Sequence, residues 1–490
     1  MKETLSAKAE ATFRNSRAIF NRDIVAPGYG TSKKPRGWKL GDAIADVLNW
    51  LESRNDIQSL RAAVCDLNGI MRGKRIPVEQ ARKALDGKLR MPFSLIGLDV
   101  WGEDIEGNAL VFSTGDADGL CQWTGRGILP VNWTAHPTAL VPLWLADENG
   151  APYLGDPRRA LARILDRYKA LGLTPVAATE LEFYLVDPQS QRPVGPVSPV
   201  TGRRLDSDAA LSIDEIDDFE AFIHDVYDAC RMQDIPVDTA IAENGVGQFE
   251  INLNHVADAL RAADDAVLFK RTVKGIARKH GFAACFMAKP YGDRAGNGFH
   301  VHFSLVDTDG RNVFDDGSEQ GSEIMRHAVG GLLAAMAEST LVFAPHFNSY
   351  RRLRPRSYAP TAVAWGYENR MVAIRIPGGP SAARRIEHRV SGADANPYLV
   401  LAAILGAALI GIERELSPGD PTRGEGQGGQ PARLPPDWAS AIASFESGAH
   451  VGEIFPAILR DSFVACKRQE LNTFALNVSD FELETYLESV

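Results

Sequence analysis

Along this chain the apolar positions switch repeatedly between two periods, and the switches mark its elements. From Leu40 to Leu51 the spacing of Leu40, Ile44, Val47, Leu48 and Leu51 is that of an amphipathic helix. Alternation then predicts two strands, Ala63 to Leu67 and Ile70 to Ile76, joined at Asn68-Gly69, a dipeptide that tolerates the positive φ of a tight hairpin. Thr138 to Leu145 reads as a further strand. At Asp156-Pro157 a helix start is predicted, with Asp as cap and Pro in the first turn, and Gly172 ends it. Val176 to Val186, Glu243 to Leu253, Phe299 to Ser304, Met371 to Pro377 and Arg385 to Val390 alternate as strands, interleaved with helices near Phe219 to Arg231, Asp258 to His280 and from Asn396-Pro397 onward.

Each of these five strands has one apolar face and one face of unusual chemistry. In VAATELEFYLV, Glu180 and Glu182 share a face; in ENGVGQFEINL, Gln248, Glu250 and Asn252 do. In FHVHFS, His300, His302 and Ser304 oppose Phe299, Val301 and Phe303. Arg375 opposes Ile374 and Ile376, while Arg385, Glu387 and Arg389 oppose Ile386, His388 and Val390. Five solvated faces are one reading. The other is a shared cavity, because Thr, Lys and Ser are the commoner solvent-facing strand residues. If the faces converge, Glu180, Glu182, Glu243, Glu250 and Glu387 repel one another unless cations neutralise them. Oxygen donors in excess, one or two histidines and no thiolate select Mg²⁺ or Mn²⁺ over structural zinc. The arginines suit carboxylate or phosphate, and metals with arginines suit phosphoryl transfer. No G-x-x-x-x-G-K-[ST] loop occurs.

Composition narrows the class without naming it. The 490 residues allow two to four domains, and the formal net charge of −10 argues against nucleic acid as a partner. Five cysteines, with no C-x-x-C pair, fit a reducing cytoplasm. The charged start Met1-Lys2-Glu3-Thr4 lacks a signal-peptide core, and the longest uncharged apolar run, Tyr398 to Ile412, is short for a bilayer and reads as a buried helix, so no membrane partner is expected. Residues 1–37 read as a mobile arm, 38–150 as a small β-rich domain, 151–490 as a larger domain, and 418–436 as a flexible Gly- and Pro-rich loop.

The blocks KPYGDRAGNGFHVHFS, ELEFYL, ENGVGQFE, NSYRRLRP, ENRMVAIRIP and RRIEHRVSGADANPYL resemble, in the same order, those of the glutamine synthetases. The wording of CDLNGIMRGKRIP, GQFEINL and GADANPYLV resembles the γ-glutamylpolyamine synthetase branch of that family. The resemblance implies an α+β fold: a β-grasp-like N-terminal domain and a catalytic domain whose curved antiparallel sheet lines the active site. It implies ATP as co-substrate, glutamate and a primary amine as substrates, and stacked rings with active sites between subunits.

Residue by residue, Glu182, Glu243 and Glu250 match one metal site and Glu180, His300 and Glu387 a second. His302 and Ser304 match contacts to ATP, with Ser304 also readable as the plain end of a strand. Arg370, Arg375 and Arg385 match phosphate contacts, with Arg375 also readable as an ordinary ion pair. Gly296, Arg352 and Arg389 match the glutamate site, and Arg370 and Glu387 are catalytic in this reading. Asp66 matches an aspartate lent to a neighbour's amine pocket; its local alternative is to cap the hairpin turn.

Three positions depart from the family pattern. Tyr358-Ala359-Pro360 stands where ammonia-using members carry Glu-Ala-Pro on a flap, which points to a larger amine packed by the ring. Ala295 and Ala382 replace an expected Asn and Lys. With no tyrosine from Glu415 to Pro436, control by adenylylation is not expected. The function implied is ATP-dependent ligation of the glutamate γ-carboxylate to putrescine or another polyamine through γ-glutamyl phosphate. Ligases for ethanolamine, methylamine or an aromatic amine, an ammonia-dependent glutamine synthetase, and a noncatalytic assembly protein are the alternatives.

Overall fold

A computed structural model describes residues 40–107, 115–355, 357–424 and 432–490. The expected arm at 1–37 and residues 425–431 of the expected 418–436 loop lie outside the described residues.

After helix α1 (Leu40–Ser53) comes a mixed sheet of six strands: β1 (Ser59–Cys65), β2 (Met71–Pro77), β3 (Leu89–Pro92), β4 (Asp118–Trp123), β5 (Leu129–Val131) and β6 (Thr138–Ala146). Their order is β2-β1-β6-β4-β3, with β5 on β6, and β1 runs parallel to β6. The predicted hairpin exists, but its first strand begins and ends earlier than expected and its second is shifted one residue later, so that Cys65 pairs with Met71. Asp66 to Ile70 form a wider turn in which Gly69 adopts φ +76, a conformation cheap only for glycine.

That turn is bolted to the remainder of the molecule by polar side chains. Asn396 Nδ2 donates to the Asp66 carbonyl at 2.9 Å, and Asn68 Nδ2 donates to Glu470 at 3.1 Å. Lys467 pairs with Glu470 at 2.8 Å with both side chains fully enclosed, and its ammonium also reaches Asn68. A buried pair of this kind needs all its partners, so it specifies one docking of the turn.

Asp156 caps α2 (Pro157–Ala170) by accepting from the Arg158 and Arg159 amides, as its sequence predicts. Then follow β7 (Thr174–Val186), α3 (Glu220–Met232), β8 (Val237–Ala242), β9 (Gln248–Val256), α4 (Ala259–Lys279), β10 (Ala283–Cys285), β11 (Phe299–Val306) and α5 (Glu323–Met336). The short strands β12 (Trp365–Tyr367), β13 (Ile374–Ile376) and β14 (Ile386–His388) precede α6 (Pro397–Glu413) and α7 (Ala457–Leu476). Together the strands form an eight-stranded sheet in the order β12-β13-β14-β11-β7-β9-β8, with β10 on β7. It is antiparallel throughout except where β12 runs parallel to β13.

The apolar face of this sheet, including Leu181, Phe183, Phe249, Ile251, Phe299, Val301 and Phe303, is buried. Helix α6 is enclosed from Pro397 to Gly411, as expected for the uncharged run. Each such Leu or Ile contributes about 1.5–3 kcal/mol of burial. Among the described residues no helix is long and apolar enough to cross a membrane, and all five cysteines are free.

Candidate active site

Register on the other face of the sheet decides what the strands bring together. Opposite Glu180 on β7 stand His300 on β11 and Asn252 on β9; opposite Glu182 stands Glu250; opposite His302 stands Glu387 on β14, which also faces Arg375 on β13. Period-two alternation turns these side chains to one side, so five neighbouring strands build one polar surface.

Glu180 is the hub. Its carboxylate lies 3.2 Å from His300 Nδ1 and 2.9 Å from His302 Nε2. Arg385 Nε donates to His302 Nδ1 at 3.3 Å, on the side of the ring away from Glu180. Burial alone would push the Glu180 carboxyl up, but the two histidines overcome it and hold it well below the usual carboxylate range. Glu250 goes the other way: burial first, then Glu180, Glu182 and Glu243, push its carboxyl up. Glu243 is pushed up to about 7 by burial and by Glu182. Glu387 is also buried, yet His300, Arg389 and His302 hold its carboxyl low. Five carboxylates, Glu180, Glu182, Glu243, Glu250 and Glu387, thus share one space, an arrangement that divalent cations would neutralise.

The surroundings fit hard divalent cations. Potential ligand atoms of Glu180, His302 and Glu387, and of Glu180, Glu250 and His300, lie within 4.8 Å of one another in each group. Gln248 Oε1 and Asn252 Oδ1 are buried oxygens without a partner beside them. The donor set is oxygen-rich, contains two imidazoles and no thiolate, and so fits Mg²⁺ or Mn²⁺. Neither group is a sequence-derived trio: the structure sets His302, rather than His300, with Glu180 and Glu387, and sets His300 with Glu180 and Glu250.

An arginine wall flanks the carboxylates. Arg375 donates to Glu387 at 2.8 Å and to Glu368 at 3.1 Å, and Arg389 also pairs with Glu387. The Nε atoms of Arg375 and Arg389 are buried without a partner. Arg370, exposed, lies beside Glu243 and Glu368 and lines a cleft of about 1230 Å³ together with Arg375. Arg352, 5% exposed, donates Nη1 to the Val390 carbonyl at 2.7 Å.

Glycine makes the cradle between the arginines and the carboxylates. A Cβ at Gly298 would stand 2.9 Å from His300 Nε2, 3.1 Å from Arg352 Nη2 and 3.2 Å from a Glu182 oxygen. The Gly298 amide donates to Glu182 at 2.6 Å, and a Cβ at Gly296 would meet the Ala288 carbonyl at 2.6 Å and the Arg352 stem at 3.0 Å. Three polar groups therefore face the space that a side chain at 298 would fill.

Three sequence-derived residues stand apart. Asp66 is fully enclosed, with one oxygen accepting from the Ile70 amide and the other from Arg72, both at 2.8 Å. Burial raises its carboxyl to about 6 despite Arg72. Its hydrogen-bond partners within the chain are the turn and Arg72, as the turn-capping alternative expects. Ser304 lies farther along β11, half-buried opposite Val176. Tyr358 is 76% exposed on a loop with φ +61, six residues beyond Arg352.

Two residues that the sequence did not single out also shape the site. Glu368, at φ +49, forks Arg375 from the side opposite Glu387 and accepts from the Gly378 amide. Asn297, fully buried, donates to the Cys285 and Met287 carbonyls and accepts from Gln248, fixing the loop that carries Gly296 and Gly298. Its place between two glycines was the only local signal. Glu368 had none, because its partners are met through a chain reversal.

Comparison with known proteins agrees with this geometry. The family model for the glutamine synthetase catalytic domain matches residues 154–486. The chain is 36% identical over 454 residues to the γ-glutamylputrescine synthetase PuuA of Escherichia coli (strain K12), covering 91% of this chain and 94% of that protein. It is 32% identical over 468 residues to a glutamate–isopropylamine ligase of Pseudomonas sp, covering 91% and 98%. The solved structure of GmaS without ligand superposes with a TM-score of 0.79 at 27% identity, covering 90% of this chain and 99% of that one. A sheet of paired carboxylates and histidines, an arginine wall and these relatives together place the chain in the glutamine synthetase family of ATP-dependent, divalent-metal-using ligases.

Proposed function

We propose that the chain joins the γ-carboxylate of glutamate to a primary amine with ATP, through γ-glutamyl phosphate, and that the amine is putrescine or a related polyamine. The observation that carries the ligase chemistry is the carboxylate cluster beside Arg352, a buried guanidinium with no carboxylate at ion-pairing distance among the described residues.

In this reading Glu182, Glu243 and Glu250 hold one divalent cation and Glu180, His300 and Glu387 a second, Mg²⁺ or Mn²⁺, with His302 at the edge of the second set. When bound, such cations neutralise phosphate charge and polarise the transferred phosphoryl group. Arg370, Arg375 and Arg385 supply donors to the phosphates, Arg375 being aimed by Glu368 and Glu387. Arg352 and Arg389 take the α-carboxylate of glutamate, and Gly296 and Gly298 leave room for its backbone atoms. The γ-carboxylate attacks the ATP γ-phosphate, ADP leaves, and the unprotonated amine then displaces phosphate to form the amide. Asp66, saturated within its own turn, is not given the amine's proton. Ser304 is kept as a nucleotide contact, and stacked rings of subunits are expected; a monomer in sizing experiments would contradict the rings.

Support for a large amine comes from Tyr358 and from the greater identity to the putrescine ligase than to the isopropylamine ligase. A tyrosine supplies no fixed negative charge to select ammonium, and its exposed ring is free to cover an alkyl chain. Phosphate release measured with glutamate, ATP and a panel of putrescine, ethanolamine, isopropylamine and ammonia should show the highest kcat/KM for putrescine. Ammonia working equally well would overturn the amine assignment, and no metal-dependent turnover with any amine would favour the noncatalytic alternative.

Tyr358→Glu should shift the ratio of ammonia to putrescine kcat/KM towards ammonia by about tenfold, equivalent to about 1.4 kcal/mol. An unchanged ratio would remove Tyr358 from the amine site.

A further inference from the structure

Away from the carboxylate cluster, a second cavity of about 670 Å³ opens between the hairpin turn, helix α4 and the segment that follows β10. Lys270, Arg271, Lys274 and Arg278 line it, against a single lining carboxylate, Asp394. Three of the four recur every fourth residue on α4, where like charges repel. In a chain of formal net charge −10, such a local excess of positive charge is the reverse of the average surface.

Among the described residues none of the four cations has a carboxylate at ion-pairing distance. Lys270 donates only to the Ala395 carbonyl, at 3.2 Å. Arg271 Nε is buried without a partner. Asp394 is one negative charge against four positive ones, lies beyond ion-pairing distance of all of them, and has one oxygen accepting from Ser349 at 2.6 Å. What contact the cations have is aromatic, with Lys270 and Lys274 at 5.7 and 5.5 Å from the Phe286 ring and Arg271 at 5.6 Å from Trp133. Cation–π contacts of this length return about 0.5–2 kcal/mol and, apart from the Lys270 proton given to Ala395, leave the donor protons available to an oxygen acceptor. The crowding also shows in the charge balance, since burial and then Lys274 push the Lys270 ammonium down to about 7.

We propose that this cavity is a second anion-binding site, taking a small molecule with phosphate or carboxylate groups through Lys270, Arg271, Lys274 and Arg278. The volume falls within the range of about 300–1000 Å³ usual for small-ligand sites, which favours a small ligand over a protein segment. The site is distinct from the catalytic one, yet not remote from it. Asn348, in its wall, brackets the Lys289 backbone with hydrogen bonds of 2.8 and 2.9 Å, where the loop to Gly296 and Gly298 begins.

Cys285 lines the cavity and is the one cysteine that is not buried, which makes it a local reporter. In the assembled protein, alkylation of Cys285 by iodoacetamide, followed by peptide mass spectrometry, should slow when inorganic phosphate or succinate is added, relative to KCl of equal ionic strength. An anion at about four times its Kd would slow the reaction about fivefold by occupancy alone. Lys274 and Arg278 are exposed on α4, so the double variant Lys274→Gln/Arg278→Gln should fold and lose the protection. Phosphate and succinate arms separate a phosphorylated ligand from a polycarboxylate. No protection by either anion, or equal protection in the double variant, would overturn the proposal. So would a Cys285 that reacts only after dilution separates the subunits, since a neighbouring copy would then fill the cavity.

Discussion

Glu250→Gln is expected to lower the ligation rate about a thousandfold while making the metal-free protein more stable. The two signs follow from one environment. Glu250 is 7% exposed, has no hydrogen-bond donor among the described residues, and faces Glu180, Glu182 and Glu243. An amide of the same shape is neutral without having to take up a proton and breaks no hydrogen bond, so it removes the cost of the raised carboxyl and the melting temperature without metal should rise. The same change removes a cation ligand, so the stabilisation gained on adding Mg²⁺ or Mn²⁺ should shrink with the rate. A residue that merely held the sheet together would lose both activity and stability.

The pH dependence of the metal-free protein checks the same cluster. Folding raises the Glu250 carboxyl, and raises Glu243 to about 7. In the unfolded chain both sit near 4.3, so from about pH 4.3 up to about pH 7 for Glu243 and about pH 9 for Glu250 the folded state holds more protons and its stability falls as pH rises. Divalent cations bind the deprotonated carboxylates, so the stabilisation they confer should grow from about pH 6 to about pH 8. Thermal melts across this range, with and without metal, give both slopes. A metal-free protein whose stability is flat, in which Glu250→Gln melts earlier, would show that the carboxylates do not repel as their placement implies.

The parts of this site that can be read from sequence are those built by long, regularly alternating strands. β7, β9 and β11 run for 13, 9 and 8 residues, so period two assigns Glu180, Glu182, Glu250, His300 and His302 to a common face without knowledge of the register. Glu243 was read as part of the β9 strand, whereas Glu243 to Gly247 form the turn between β8 and β9, with Gly247 at φ +68. β8 escaped notice because its burial, half-exposed until Ala242, carries no clean alternation. Alternation placed β13 and β14 within Met371 to Pro377 and Arg385 to Val390, but each pairs over only three residues; β12, also three residues long, is too short for a period to show, and its parallel pairing with β13 depends on a chain reversal that no local pattern encodes. Asp66 shows the harder limit. Its motif was legible, but its partners, Arg72 and the turn bolted by Asn396 and Glu470, are set by tertiary docking.

Arg352→Lys should raise the KM for glutamate about a hundredfold with a smaller change in kcat, a loss of about 2.7 kcal/mol in binding. Burial pulls the Arg352 guanidinium below its usual value, and Glu182 and Asp394 only partly offset this. Enclosing such a charge costs several kcal/mol unless a counter-charge arrives, and the α-carboxylate of glutamate would supply it. Lysine keeps the charge but not the planar fork that grips a carboxylate with two parallel hydrogen bonds, and it would give up the Nη1 bond to Val390. Arg389, by contrast, is already committed to Glu387, so its replacement should disturb the cation ligand and lower kcat as well. The discriminating substrate is 4-aminobutyrate, which keeps the reacting carboxylate and lacks the α-carboxylate. If Arg352 holds that group, the preference of the wild-type enzyme for glutamate over 4-aminobutyrate should collapse in Arg352→Lys, because the variant can lose only an interaction that the shorter substrate never made. An equal penalty on both substrates would make Arg352 a support of the Gly296–Gly298 loop and leave the α-carboxylate to another residue.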